Sequence, residues 1–240
     1  MEWLYNRRLR PFSVISFDLD DTLYDNVPIM QQTEQNVQDY IAQNYPQTRQ
    51  WDLTHWRNRR MTIMRRSAEL SSDMTLLRKT TLAEGFTEAG VEDPQQAAEK
   101  VMQQFHHHRS NFSVPESSHR LLKLLSAHYR LAAISNGNVN CEKIGIADYF
   151  DVIVQPSAQL RGKPHPDMFN HTADFFKINH QQLLHIGDHP YSDILGAHRA
   201  GCQSGWFRDG LGTSNQLRVL PTFSFTKLEQ LAMLVGEKPR

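Results

Sequence analysis

The feature that most constrains this chain is the run Val14-Ile15-Ser16-Phe17-Asp18-Leu19-Asp20-Asp21-Thr22-Leu23, where an apolar segment drives straight into three carboxylates. A short apolar run bounded by turn formers reads as a buried strand. Carboxylates this close repel one another and are costly to desolvate. A strand that ends in this way calls for positive charge at its tip, so the fold must bring that charge to it.

The strand, expected over residues 13–19, gives way at Asp25-Asn26-Val27-Pro28, and from there to about Phe112 every periodic signal is helical. Ile29, Thr33, Val37, Tyr40 and Ile41 form one apolar stripe, and Leu53, Trp56, Ile63, Met64 and Leu70 a second. A third stripe runs through Leu76, Leu77, Thr80, Ala83 and Phe86 to a stop at Gly90, with Ser72 or Asp73 as its cap. Asp93-Pro94 opens a fourth helix, which buries Ala97, Val101, Met102 and Phe105.

From Pro115 onward, short apolar strands alternate with helices. The strands are Leu131–Ile134, Val152–Val154, Leu183–Ile186 and, as the last one expected, Gly205–Phe207; helices are expected over 166–176 and 192–200. This alternation predicts an α/β fold: a doubly wound, mainly parallel, Rossmann-like sheet covered by helices on both faces. Residues 1–26 and 113–240 would form that core, and 27–112 an all-helical cap inserted into it. A chain of 240 residues with 39% hydrophobic content has enough apolar surface for both.

Charge and cysteine content exclude several classes. The 26 basic residues balance 26 acidic ones, so no overall field points to nucleic acid or a membrane surface as a partner. Cys141 and Cys202 stand outside any disulfide framework or metal-ligand spacing and read as reduced core residues. With no apolar stretch long enough to span a bilayer, the cytoplasm is the expected location.

In open α/β sheets, ligands bind outside the carboxyl ends of the strands. Strand one ends at Asp18 and Asp20, the Leu131 strand in Ser135-Asn136-Gly137, and the Leu183 strand in Gly187-Asp188 followed by Asp193; Gly162-Lys163-Pro164 follows the Val152 strand. These four segments, in this order, resemble the four motifs of the haloacid dehalogenase (HAD) superfamily, and the helical insertion resembles that family's cap. The resemblance covers essentially the whole chain.

It implies a phosphatase in which Asp18 attacks phosphorus and forms an aspartyl-phosphate, and Asp20 acts as general acid and then base. Ser135, Lys163 and backbone amides near Leu19, Asp20 and Asn136 would bind the phosphate. Thr22 would hold the loop, and Asp193 would orient Lys163 or a metal-bound water. Oxygen ligands amid dense negative charge favour Mg²⁺, held by Asp18, Asp188 and the backbone carbonyl of Asp20.

The expected partner is therefore a small-molecule phosphate ester. The resemblance extends to bacterial phosphatases that act on 5-amino-6-(5-phospho-D-ribitylamino)uracil in riboflavin synthesis and on FMN. The alternatives are a broad sugar-phosphate or nucleotide phosphatase, a phosphomutase, and a silent binding protein that presents its basic cap. The family's dehalogenases lack a carboxylate two residues after the nucleophile, and Asp20 argues against that class.

Two further features read as ordinary surface. His106-His107-His108 point in different directions along a helix, and Arg57, Arg59, Arg60, Arg65 and Arg66 near Trp51 and Trp56 suit an exposed face. His189 and Tyr191 fall within the fourth motif, where they are placed either to touch substrate or simply to shape the loop.

Overall fold

The computed structural model describes residues 3–67, 70 and 73–236. They divide into two compact units, with one boundary between Asp25 and Asn26 and another between Phe112 and Ser113. Asn138–Lys143, which the sequence reading assigns to the core, clusters with the helical unit. The cause is local bonding: Asn138 donates to Thr75 Oγ1 at 2.9 Å, and the Asn140 amide donates to Ser110 Oγ at 3.0 Å.

The α/β unit is built on a seven-stranded sheet. Its strands are β1 (Leu4–Tyr5), β2 (Val14–Phe17), β3 (Arg130–Ile134), β4 (Val152–Val154), β5 (Leu183–Gly187), β6 (Gln203–Phe207) and β7 (Phe223–Phe225). The spatial order is β1-β7-β6-β5-β2-β3-β4, and every pairing is parallel except β1 with β7. The strand at Gly205–Phe207 is therefore not the last: β7 pairs beside it and β1 closes that edge. Both are short; β1 is too brief for any period, while β7 lies in a brief alternation, Thr222-Phe223-Ser224-Phe225-Thr226, that the sequence reading passes over.

Strand β2 is central, and all four of its residues are buried because both faces of the sheet are covered. Ile15 and Phe17 share one face, Val14 and Ser16 the other. On the Val14 face, α6 (Asp167–Phe176) and α7 (Gly196–Arg199) bury Met168, Phe169 and Ala197 against Val14, Ile134, Val154 and Leu183. Elsewhere α5 (Glu116–Ser126) buries Leu121, Leu122 and Leu125. The helix expected over 192–200 is instead a π turn, Pro190–Leu195, leading into the short α7.

Register is what positions the site. Phe17 lies opposite Ala133 of β3 and Ile186 of β5, so β2, β3 and β5 finish level with one another. Asp18, Ser135 and Asp188 thus emerge along one edge, where the chain crosses over to opposite sides of β2.

The helical unit contains α1 (Asn26–Asn44), α2 (Leu53–Arg66), α3 (Met74–Glu88) and α4 (Pro94–Arg109). Asp52, Asp73 and Asp93 cap the last three by accepting backbone N–H groups in the first turn. Ser72, the other candidate cap of α3, lies outside the described residues. Helix α2 ends at Arg66, so Leu70 is not part of its stripe. The buried residues of α3 are Leu77, Thr81, Leu82, Ala83, Gly85 and Phe86, so Leu77, Ala83 and Phe86 are buried as expected, while Leu76 is 41% exposed.

These helices share a core of Val37, Ile41, Trp56, Leu82, Phe86 and Phe105, among others. Phe86 is fully buried at its centre. Phe86→Ala should cost about 3–5 kcal/mol through lost transfer energy and the cavity left behind. Urea denaturation should show this as a lower midpoint for the helical unit.

Candidate functional site

The site is assembled at the carboxyl edge of β2, β3 and β5. Asp18 follows β2 directly, and its amide donates to Ile186 O of β5 at 2.8 Å. Asp21 then takes a left-handed backbone conformation (φ 57°) and donates its amide to Tyr24 O at 2.9 Å, which turns the chain back sharply. Within this turn the Tyr24 hydroxyl donates to Asp20 Oδ1 at 2.7 Å and fixes that carboxylate. Gly137, after β3, lies close by: a Cβ there would sit 2.4 Å from Asp20 Oδ2, so a residue with no side chain leaves that oxygen its room.

Lys163 is the positive charge that the opening motif requires. Its Nζ lies 2.7 Å from Asp18 Oδ1, 2.6 Å from Asp193 Oδ1 and 2.6 Å from the carbonyl of Ile134. Asn136 clamps the lysine backbone, accepting from its N–H at 2.7 Å and donating to its carbonyl at 2.8 Å. The Asn136 side chain therefore holds Lys163, a task the sequence reading did not assign to it. Ser135 is buried, and its Oγ accepts the Gly137 N–H at 3.1 Å.

Asp193 is held on both oxygens. His189 N donates to Oδ2 at 2.8 Å, and His185 Nε2 approaches Oδ1 at 3.2 Å. His185 is fully buried; burial and then Lys163 push its imidazole down to about 4 despite the neighbouring Asp193. The ring is therefore neutral, and since Asp193 only accepts, Nε2 carries the proton and donates it. Nδ1 is then left to accept from Ser16 Oγ, 2.9 Å away on β2. A Cβ on Gly187 would collide with Asp193 Cγ at 2.3 Å, so the β5 backbone passes close against this carboxylate.

Asp188 completes the cluster. Thr22 Oγ1 reaches its Oδ1 at 3.4 Å, Leu211 N donates to Oδ2 at 2.9 Å, and Trp206 Nε1 donates to its carbonyl at 2.7 Å. Carboxylate oxygens of Asp18, Asp188 and Asp193 all lie within 4.8 Å of one another, and all three residues are buried. Asp193 Oδ1 already accepts from both Lys163 and His185 and its Oδ2 from His189, whereas among the described residues the contacts to Asp18 and Asp188 are at most one per oxygen, which leaves that pair the greater lone-pair capacity for a cation.

Electrostatics follows from three carboxylates facing one ammonium. Burial alone would raise Asp193, but Lys163 and His185 override it and hold the carboxyl well below its usual range. Burial lowers Lys163, which Asp18 and Asp193 more than reverse, so the ammonium stays charged. Asp18 is driven well above the usual carboxylate range by burial, against Lys163 and with the repulsion of Asp193 and Asp20. Burial and the Asp193 charge raise Asp188 to about 7, against the Leu211 N–H. Fully ionised, the cluster would carry more negative charge than one lysine offsets.

The sequence-predicted residues Asp18, Leu19, Asp20, Thr22, Ser135, Asn136, Lys163, Asp188 and Asp193 all belong to this one edge. Tyr24, His185, Trp206 and the Leu211 amide were missed. His185 left a signal, a lone polar side chain inside the apolar strand Leu183–Gly187. The others are bonds between a motif and residues outside it, which spacing does not reveal.

Away from the edge, Arg57, Arg60 and Arg78 converge on Glu34, Arg59 pairs with Glu88, and Arg66 lies 2.9 Å from Glu84. The arginine-rich helix face is thus largely engaged in ion pairs within its own unit. The three consecutive histidines occupy the last turn of α4, with His107 exposed and His106 and His108 half-buried. No described helix is long and apolar enough to cross a membrane.

Asp188 also makes stability depend on pH. Its folded-state value near 7 lies above the ordinary carboxylate value, so between about pH 4 and 7 the folded chain binds a proton that the unfolded chain releases. The stability from that proton is full at the acid end and is lost as pH rises through about 7. Without added metal, the urea midpoint should fall over this range, and Asp188→Asn should flatten the fall.

A family model described as haloacid dehalogenase-like hydrolase matches residues 12–201. The 5-amino-6-(5-phospho-D-ribitylamino)uracil phosphatase YigB of Escherichia coli is 31% identical over 236 residues, covering 96% of this chain and 99% of that protein. A glyceraldehyde 3-phosphate phosphatase of Pyrococcus abyssi is 28% identical and covers 82% of each chain. Among solved structures, a protein titled 2-haloacid dehalogenase from Pseudomonas syringae superposes with a TM-score of 0.85 at 27% identity, covering 94% of this chain and 98% of its own. With its motifs gathered at one sheet edge and a family match across most of its length, the chain belongs to the haloacid dehalogenase-like hydrolases.

Proposed function

We propose that this protein is a Mg²⁺-dependent phosphatase that hydrolyses a small-molecule phosphomonoester through an aspartyl-phosphate on Asp18. The observation that carries this reading is Lys163 Nζ at 2.7 Å from Asp18 Oδ1, with Asp188 in the same buried cluster. An all-oxygen donor set with surplus negative charge suits a hard cation, and Asp18 and Asp188 would hold it. When bound, the cation would offset charge on the cluster and on an incoming phosphate.

Lys163 opposes the repulsion between the Asp18 carboxylate and an anionic phosphate, the main electrostatic obstacle to phosphoryl transfer. Asp18, ionised, is the nucleophile. Ser135 and backbone amides at the β2 and β3 ends would bind the transferring oxygens. Asp20, held by Tyr24, donates a proton to the leaving oxygen and later takes one from the water that hydrolyses the acyl phosphate. Asp193 keeps Lys163 aimed at Asp18, and His185 and His189 keep Asp193 in place.

The likeness to the Escherichia coli enzyme, which extends over nearly the full length of both chains, supports 5-amino-6-(5-phospho-D-ribitylamino)uracil as the substrate; FMN enters only through the resemblance of the sequence motifs. The Pyrococcus abyssi relative supports a second reading, a small sugar or triose phosphate. Asp20 favours phosphate chemistry over dehalogenation, because displacement of halide requires no proton donor. A silent binding protein would have no use for the Lys163–Asp18 and Tyr24–Asp20 pairs.

The assay is phosphate release from p-nitrophenyl phosphate and a metabolite panel, with and without Mg²⁺. Asp18→Asn should abolish turnover. Asp20→Asn should lower kcat by about 10²–10⁴-fold on alkyl phosphates and far less on p-nitrophenyl phosphate, whose leaving group needs no proton. Turnover unaffected by Asp18→Asn would refute the mechanism. A panel led by triose or hexose phosphates rather than flavin precursors would replace the flavin assignment with the second reading.

A further inference from the structure

Within the helical unit, α1, α2 and α3 line a cavity of about 40 Å³ whose lining includes no residue of the Asp18 cluster. One wall is charged. Glu34 lies 2.6 Å from Arg57, 3.2 Å from Arg60 and 3.6 Å from Arg78. Arg57 is 51% exposed, so water solvates much of its charge, whereas Arg60, Arg78 and Glu34 are 19%, 14% and 11% exposed. Two largely buried cations therefore face one buried carboxylate, and the wall keeps a positive surplus that is costly away from water. Burial and the nearby Arg60 pull the Arg78 guanidinium down to about 10 against the attraction of Glu34, consistent with that surplus.

The other lining residues define what would offset it. Val37, Ile41, Leu53 and Leu82 form an apolar wall. Trp56 and Gln38 also line the cavity, and among the described residues the buried Trp56 Nε1 and Gln38 Oε1 have no hydrogen-bond partner. A buried donor and acceptor left unmade are themselves unfavourable. One ligand satisfies every wall: an anion for Arg60 and Arg78, an acceptor oxygen for the indole N–H, a donor for the Gln38 carbonyl, and carbon for the apolar side.

We propose that this cavity binds a short-chain carboxylate bearing a hydroxyl group. Its carboxylate is held by Arg60, Arg78 and the Trp56 indole, and its hydroxyl donates to Gln38. Since one water needs roughly 10–15 Å³, the space holds a carboxylate and the first carbons of its chain, but no large body.

The test titrates 3-hydroxybutyrate into the full chain while following the Trp56 indole N–H by NMR, with that resonance assigned through Trp56→Phe. A saturable shift is expected, weakened about tenfold or more in Arg60→Gln by loss of a charge-assisted hydrogen bond. Butyrate, without the hydroxyl, should bind more weakly. Chloride at equal ionic strength should give no saturable shift. Should Arg60→Gln fail to fold, Trp56→Phe keeps the ring, and the rise in Tm that 3-hydroxybutyrate produces in the parent should be reduced in it. No saturable shift, an equal response to chloride or inorganic phosphate, or binding unchanged in both variants would overturn the proposal.

Discussion

One lysine facing three buried carboxylates is the interaction on which the rest of this structure depends. Lys163 Nζ contacts Asp18 and Asp193 directly, and Asp188 completes the cluster within 4.8 Å. Breaking such a buried pair by removing the cation is strongly destabilising, because the charges left behind have neither water nor partner. Even with Lys163 in place, burial and then the charge of Asp193 raise Asp188 to about 7. The same crowding of buried carboxylates suits the site to a hard cation and an activated nucleophile, so the electrostatic cost and the proposed chemistry share one origin.

The sheet carries this arrangement through its register. Phe17 pairs with Ala133 on one side and Ile186 on the other, so the residues that follow meet without any long loop. Beneath them a polar chain crosses the sheet from Ser16 to His185, Asp193, Lys163 and Asp18. Each link uses a group that would be unfavourable alone in an apolar layer, and each is satisfied by the next. The neutral His185 serves as a rigid spacer, donating to the carboxylate that aims the lysine.

Asp18, Asp20 and Asp188 were legible in the sequence because each stands just past an apolar strand, where a polar turn former has no packing role, and Lys163 because its Gly-Lys-Pro segment lies in the loop between β4 and α6. The parallel core was legible for the same reason: strands buried on both faces read as short continuous apolar runs. Most of what escaped depends on partners distant in sequence. Strand β1 has two residues, too few for a period, and pairs with β7, which is distant in sequence; the brief alternation over 222–226 around β7 was a signal that went unread. Residues 138–143 join the helical unit through Asn138 and Asn140, bonds that no local pattern announces. Residues 192–200 read as one helix, yet the segment starts at Pro190 with His189 as its cap, Asp193 turns inward to Lys163, and the first turns open into a π conformation. The arginines of α2 look like an exposed basic face until Glu34, Glu84 and Glu88 are seen to meet them.

The central claim is that the surplus charge of Asp18 and Asp188 is the seat of a divalent cation. Calorimetric titration of Mg²⁺ into the metal-free protein near pH 6.5, in buffers of different ionisation enthalpy, tests it most directly. Because Asp188 holds a proton up to about 7, binding should release close to one proton and tighten as pH rises to 8. Asp188→Asn should abolish both the binding and the release. Saturable Mg²⁺ binding without proton release, or binding that Asp188→Asn leaves intact, would contradict the account.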